Sequence, residues 1–211
     1  MANTFAPFGF RPFGDQEGAA PTMGLTRYAL ASSDANLYFT GDVVAISTGS
    51  NAPAGYISLP STGTNLANPI LGIFAGCEYY SPTVGRVVWS SYFPGSVGSS
   101  NIGNAYVITD PNQQFLVQGT TTAVLGTSNI GQAVGIASSL QATGNTLSGI
   151  SNLALNSSTV NSSGISLPFR IIDSSCNFAP PGTNGTDGTT AGAVMVVGFN
   201  NQGRRALTQT S

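Results

Sequence analysis

No stretch of about twelve residues or more in this chain carries an apolar period of 3.6 with capping residues at its ends, so long amphipathic helices are ruled out from the start. Short runs of β-branched and aromatic residues recur instead, punctuated by Gly, Pro, Asn and Asp. Residues 25–31, LTRYALA, alternate: Leu25, Arg27, Ala29 and Ala31 share one face, and Thr26, Tyr28 and Leu30 the other. Thr40-Gly41-Asp42 reads as a tight turn between two short strands. Further candidates are ILGIFAGCEYY (70–80), VGRVVWSSYF (84–93), AYVITD (105–110) and QFLVQG (114–119), the last two joined through Asp110-Pro111-Asn112. ISLPFRIID (165–173) reads as a strand that Pro168 confines to an edge or a bulge, and AVMVVGF (193–199) as the final strand. The centre, 120–164, is looser: its spaced Ile, Val and Leu are compatible with some strand, and ASSLQA with a helical turn. This pattern predicts an all-β fold, a β-sandwich, jelly roll or barrel-like domain, and not a βαβ arrangement. No repeat of fixed period marks a solenoid or propeller.

The expected organisation is an extended N-terminal arm over 1–24 and a single β-rich domain over 25–211, with a long loop at 174–192 and the last strand at about 193–200. The arm opens MANTFAPFGFRPFG, with Phe5, Phe8, Phe10 and Phe13 set among prolines and glycines and with Arg11 as its cation. Pro7, Pro12 and Pro21 fix backbone angles and lack an amide donor, so the segment is extended and not helical. Burying four phenylalanines gains roughly 6–12 kcal/mol, whereas ordering about 13 residues costs roughly 13–26 kcal/mol. The rings alone do not hold the arm. It needs backbone pairing too, such as addition to a sheet edge. About 14 extended residues reach roughly 45 Å, enough to leave the parent domain. The expectation is an inter-subunit strap: Phe5, Phe8, Phe10 and Phe13 anchor it on a neighbour, and Arg11 makes its directed polar contact. The competing reading places the rings on the chain's own core.

Composition restricts the chemistry. Charged residues make up 7% of the chain, against about 25% in ordinary domains. They are six arginines, six aspartates and two glutamates, with neither lysine nor histidine. That removes the Ser-His-Asp triad, the Cys-His pair, histidine metal ligands, the Walker A lysine and the Schiff base. A carboxylate pair for glycoside hydrolysis would have to come from Glu17, Glu78 and the scattered aspartates. Nucleic acid is not an expected partner, because only Arg204 and Arg205 are adjacent cations and the pI is about 4.7. The longest apolar run, 70–77, falls well below the roughly 20 residues of a membrane span. The opening residues lack the pattern of a secretory signal, so a cytoplasmic site of synthesis is expected, with Cys77 and Cys176 as free thiols and the sequons at Asn156, Asn161 and Asn184 unmodified.

Each remaining motif has a plain structural reading that outweighs its functional one. GTNGTDG (182–188) has glycines but no lysine and is read as a surface loop; a calcium site on Asp187 alone lacks carboxylates. Asp34 and Asp42 flank a turn and are expected to close it through backbone hydrogen bonds. Tyr79, Tyr80, Trp89 and Tyr92 form either a sugar-stacking patch or ordinary core residues and cross-strand pairs, the latter being favoured. No catalytic residue, cofactor or metal is expected.

The opening ANTFAPFGFRPFG, followed by GLTRYALASSDANLYFTGDVV, resembles a family of small structural proteins of tailed bacteriophages. GNTLSGISNLALNSST, SLPFRIID and the terminal AVMVVGFNN are similar to that family's central and C-terminal segments, while 120–164 as a whole is looser than the family's pattern and the loop at 176–192 is this chain's own. The resemblance implies a capsid decoration or cement protein, β-barrel or jelly roll in fold, that binds and stabilises the major capsid protein shell. It implies a homo-oligomer, dimer or trimer, on the outer surface of the virion, made in the host cytoplasm. The alternative is a neck, tail or receptor-binding virion component. No catalytic residues carry over.

Overall fold

The computed structural model describes residues 3–16, 24–49, 52–60, 69–98, 102–164, 166–178 and 186–203. In chain order its strands are β1 (Arg11–Asp15), β2 (Leu25–Ala31), β3 (Tyr38–Phe39), β4 (Val43–Ile46), β5 (Ile57–Ser58), β6 (Gly72–Ser81), β7 (Arg86–Ser90) and β8 (Tyr92–Phe93). They continue with β9 (Ile102–Ile108), β10 (Gln113–Gln118), β11 (Ala133–Ile136), β12 (Gly144–Asn145), β13 (Ile150–Ser151), β14 (Leu155–Asn161), β15 (Phe169–Ser174) and β16 (Val194–Phe199). The helical content among the described residues is one turn, α1 (Ser175–Phe178), and two 3₁₀ turns at Thr127–Asn129 and Ser138–Leu140, the second within ASSLQA. The fold is all-β, as the sequence pattern requires.

Two six-stranded antiparallel sheets organise it. The first runs β1-β10-β16-β15-β11-β14. The second runs β2-β9-β6-β4-β5, with β7 also paired to β6. In the second sheet β5 lies beside β2, so the sheet curls back on itself like a barrel. Small pairs, β3 with β8 and β12 with β13, complete the fold.

The apolar residues separate into two cores. One lies between the sheets: Phe115, Val117, Phe169, Ile171, Met195 and Val197 of the first meet Val43, Ile73 and Ile108 of the second. The other fills the curled sheet, where Leu30, Tyr38, Val44, Phe74, Phe93, Ala105 and Val107 are sealed from water. Because strands β4, β6 and β9 bury residues on both faces, they read as continuous apolar runs (Val43-Val44, Ile73-Phe74, Val107-Ile108) and not as alternation.

A bulge in β6 decides which side chains reach water. Phe74 pairs with Val107 and Gly76 with Tyr106, leaving Ala75 as the extra residue. The phase of alternation therefore changes: Phe74, Cys77 and Tyr79 all face the barrel interior, while Glu78 and Tyr80 turn outward. Gly76 sits at φ +147°, and a Cβ there would lie 2.7 Å from the Trp89 ring. Cys77 is a free, buried thiol that burial pushes up to about 12.

Two expectations need correction. The N-terminal segment is extended, but residues 3–16 do not leave the domain. β1 pairs antiparallel with β10 at the edge of the chain's own first sheet, and Phe10 is 1% exposed in the core between the sheets. The sheet-edge pairing that the entropy argument demanded is made within the chain. Pro168, second, stands just before β15 and not inside it, so β15 is an interior strand between β16 and β11. Its carbonyl accepts from Asn200 N (2.8 Å) and Asn201 N (3.2 Å), a role that needs no amide donor from proline. Residues 179–185 of the long loop, Glu17, Asn184 and the pair Arg204-Arg205 lie outside the described residues, as does the Cys176 side chain.

Candidate functional site

The N-terminal segment is fixed by polar contacts before it reaches the sheet. Asn3 Nδ2 donates to the carbonyls of Asp187 (2.9 Å), Thr190 (3.3 Å) and Ala191 (3.3 Å). The buried Gln118 amide clamps the next turn: Oε1 accepts from Ala6 N (3.0 Å), and Nε2 donates to Thr4 O and Gly192 O (2.8 Å each). Phe10 N then donates to Gly41 O at 3.0 Å. Gly9 makes that approach with φ +69°, and a Cβ there would meet Ser151 Cβ at 2.9 Å and Gly41 Cα at 3.1 Å.

The four phenylalanines of this segment have different fates. Phe10 stacks on Phe169 with ring centroids 4.4 Å apart and meets Phe115 edge-on at 6.2 Å, so it is a core residue and not an anchor for a neighbour. Phe8 is half-buried, and the Arg11 guanidinium lies over its ring at 5.1 Å. Phe13 is the extra residue of a bulge between Pro12 and Gly14 and is 43% exposed; Phe5 is 40% exposed. Phe5, Phe13 and the exposed Arg11 remain at the surface, with Phe8 partly so.

Behind Phe10 lies a buried polar junction. Asp42 Oδ2 accepts from Phe39 N (2.8 Å) and Oδ1 accepts from Ser151 Oγ (2.6 Å). Burial pushes the Asp42 carboxyl up to about 7, against the opposing pull of those two donors. A carboxyl raised so far is a candidate acid by its pKa alone. At 1% exposure it has no route to a substrate, and its observed work is to tie the 40–42 turn to β13. Asp34 likewise accepts from Asn36 N (2.9 Å), Asn36 Nδ2 (2.8 Å) and the Tyr38 hydroxyl. Both aspartates close turns, as their sequence setting suggested. Asp187 does the same at the surface, accepting from Thr189 N (2.9 Å) and Oγ1 (2.6 Å), bonds that hold its carboxyl down at about 2. Among the described residues no group of three or more His, Cys, Asp or Glu comes together.

The second surface feature is the outer face of the curled sheet. The β6–β7 register sets Glu78 opposite Trp89 and Tyr80 opposite Val87. The Trp89 ring lies 5.0 Å from that of Tyr106, across the glycine that leaves room for it. The Glu78 carboxylate beside the Tyr106 hydroxyl holds the phenol above its usual range, while the nearby Arg27 acts the other way. Val87 is 65% exposed and Trp89 55%. The four aromatics therefore serve as core and cross-strand residues, the reading that the sequence favours, and do not form one patch. Tyr80 and Trp89 are together, but Tyr79 turns inward onto Phe93 (5.6 Å) and Tyr92 stacks on Phe39 (5.6 Å). Tyr106 and Val87 take their places. The glycine in the β6 run is the sequence signal that points to this rearrangement, since an isolated strand glycine marks a bulge.

Comparison of the chain with protein-family models, with curated proteins and with solved structures finds no match to any of them.

Proposed function

We propose that this chain is a non-enzymatic structural protein of a tailed-phage virion, a decoration or cement protein that binds the major capsid protein and stiffens the shell. The observation that carries the reading is the distribution of exposed apolar side chains. Phe5 and Phe13 on the N-terminal segment, and Val87 and Trp89 on β7, stay exposed although Phe10, Phe39, Phe74, Phe93, Phe115, Phe169 and Phe199 are buried. Val87, Trp89 and Tyr80 share one outer face of the β6–β7 hairpin, and contiguous exposed apolar surface marks interaction sites. Low charge supports it: a net charge of −2 adds little mutual repulsion when many copies crowd a lattice. The Ser-, Thr- and Asn-rich surface supplies hydrogen bonds from side chains with few rotamers to lose. The resemblance of residues 2–45 to phage structural proteins gives these properties their setting.

The test is reconstitution. Particles assembled without this chain are incubated with the purified protein, pelleted, and heated while DNA release is followed. The reading predicts saturable binding and a higher release temperature. Failure to bind intact shells, with binding to isolated tails or necks instead, assigns the chain to the alternative virion location.

A further inference from the structure

We propose that β7 is a homotypic pairing edge: Arg86–Ser90 pairs antiparallel with β7 of a second copy about a two-fold axis at Val88, joining two curled sheets into one.

Among the described residues the outer edge of the strand is unpaired. β7 has one strand neighbour among the described residues, β6, and no hydrogen bond reaches its other side there. An uncovered edge invites pairing with another chain, and proteins that avoid it place charges, proline or a bulge along the edge. The edge strand β1 has such devices: Pro12, a bulge at Phe13, and Arg11 and Asp15 at its ends. β7 has none of them in its interior. Its ladder to β6 runs without a register shift from Cys77↔Ser90 to Ser81↔Arg86, and its central residues are Val87, Val88 and Trp89.

The strand is also complementary to itself. Pairing about Val88 sets Val87 of each copy beside Trp89 of the other, both on the outer face where they are now exposed. Val88 meets Val88, and each Arg86 falls opposite a neutral Ser90. The two arginines then lie four residues apart along the ladder, roughly 13 Å. Shifting the axis by one residue towards Val87 brings each Arg86 opposite a valine and leaves Trp89 facing Gly85; a further shift opposes the two arginines. Shifting it the other way, to Trp89, opposes the two indoles and sets each Val87 against Ser91, which gives up both Val87–Trp89 pairs; side-chain fit and charge together favour the axis at Val88. Five residues a side fall short of the roughly 800 Å² per partner of a standard interface, so the free protein should be a weak dimer, on the order of micromolar.

The inference concerns the free chain and stands apart from the virion reading: a monomeric protein that still coats shells refutes this one alone. The test is sedimentation velocity from about 1 to 200 μM, with Trp89, the chain's single tryptophan, as an optical reporter. We expect a concentration-dependent dimer, with Trp89 emission shifting to the blue as it forms. Val87→Lys, a change at a 65% exposed position, should keep the melting temperature and weaken dimerisation tenfold or more. Val88→Cys should cross-link to itself on oxidation, whereas Ser90→Cys alone should not. A monomer across the whole range, a dimer unmoved by Val87→Lys, or cross-linking through Ser90→Cys in preference to Val88→Cys overturns the proposal.

Discussion

Replacing Phe10 by alanine asks directly whether the N-terminal segment belongs to its own domain. The side chain is 1% exposed, stacked on Phe169 and edge-on to Phe115, in a core shared by both sheets. Truncating a buried phenylalanine costs about 3–5 kcal/mol, from lost transfer energy and the cavity left behind. Here the two ring contacts push the cost toward the upper half of that range, at about 0.5–1.5 kcal/mol per aromatic pair. For a chain of this size each kcal/mol moves the melting temperature by about 2–4 °C, so Phe10→Ala should lower it by roughly 6–20 °C. Phe13→Ala, at a 43% exposed position, should stay within about 0.5 kcal/mol. Urea unfolding of both variants, followed by circular dichroism, reads the difference, with Phe13→Ala as the internal control. If Phe10→Ala loses less than about 1 kcal/mol, the ring does not hold the two sheets together and the placement of this segment is wrong.

Asp42→Asn should remove one pH dependence. The folded carboxyl titrates near 7, above its ordinary 3.8, so between about pH 4 and 7 the unfolded chain releases a proton that the folded one keeps. Asp42 therefore makes stability fall as pH rises through that window, by on the order of a few kcal/mol at most. Asparagine can still accept from Phe39 N and donate to Ser151 Oγ, so the urea midpoint of the variant should change less between pH 4.5 and 7.5 than that of the parent; equal slopes contradict the assignment. Gly76→Ala places a methyl group 2.7 Å from the Trp89 ring at φ +147°, which should cost about 1–3 kcal/mol and alter tryptophan emission; an unchanged spectrum refutes the seat described for Trp89. Gln118→Ala should speed amide exchange over residues 3–8 and leave β15 and β16 protected, since it removes the bonds to Thr4, Ala6 and Gly192; uniform protection would show that the clamp is dispensable.

The strands were largely legible because each has a local signature. Residues 25–31 alternate in sequence and do so in β2, with Tyr28 and Leu30 turned to the barrel core and Leu25 and Arg27 outward. The turn at 40–42 and the last strand at 193–199 also fall where turn residues and apolar runs place them. The fate of the N-terminal rings was not legible. Gly9 at φ +69° and the bulge at Phe13 break any simple alternation from Phe5 to Phe13, so spacing does not tell which ring turns inward. Nor does an extended segment reveal whose sheet edge it joins, since pairing with β10 lies about a hundred residues away in sequence. The outer face was half legible for the same reason. Trp89 and Tyr80 are close in the hairpin, but Tyr106 arrives through the β6–β9 register, which only the three-dimensional pairing sets.

The copy number of this chain relative to the major coat protein, by quantitative mass spectrometry of purified particles, tests the central claim most directly. A lattice-wide cement protein predicts a ratio near one. A ratio of a few per hundred contradicts that account and moves the chain to a vertex, neck or tail.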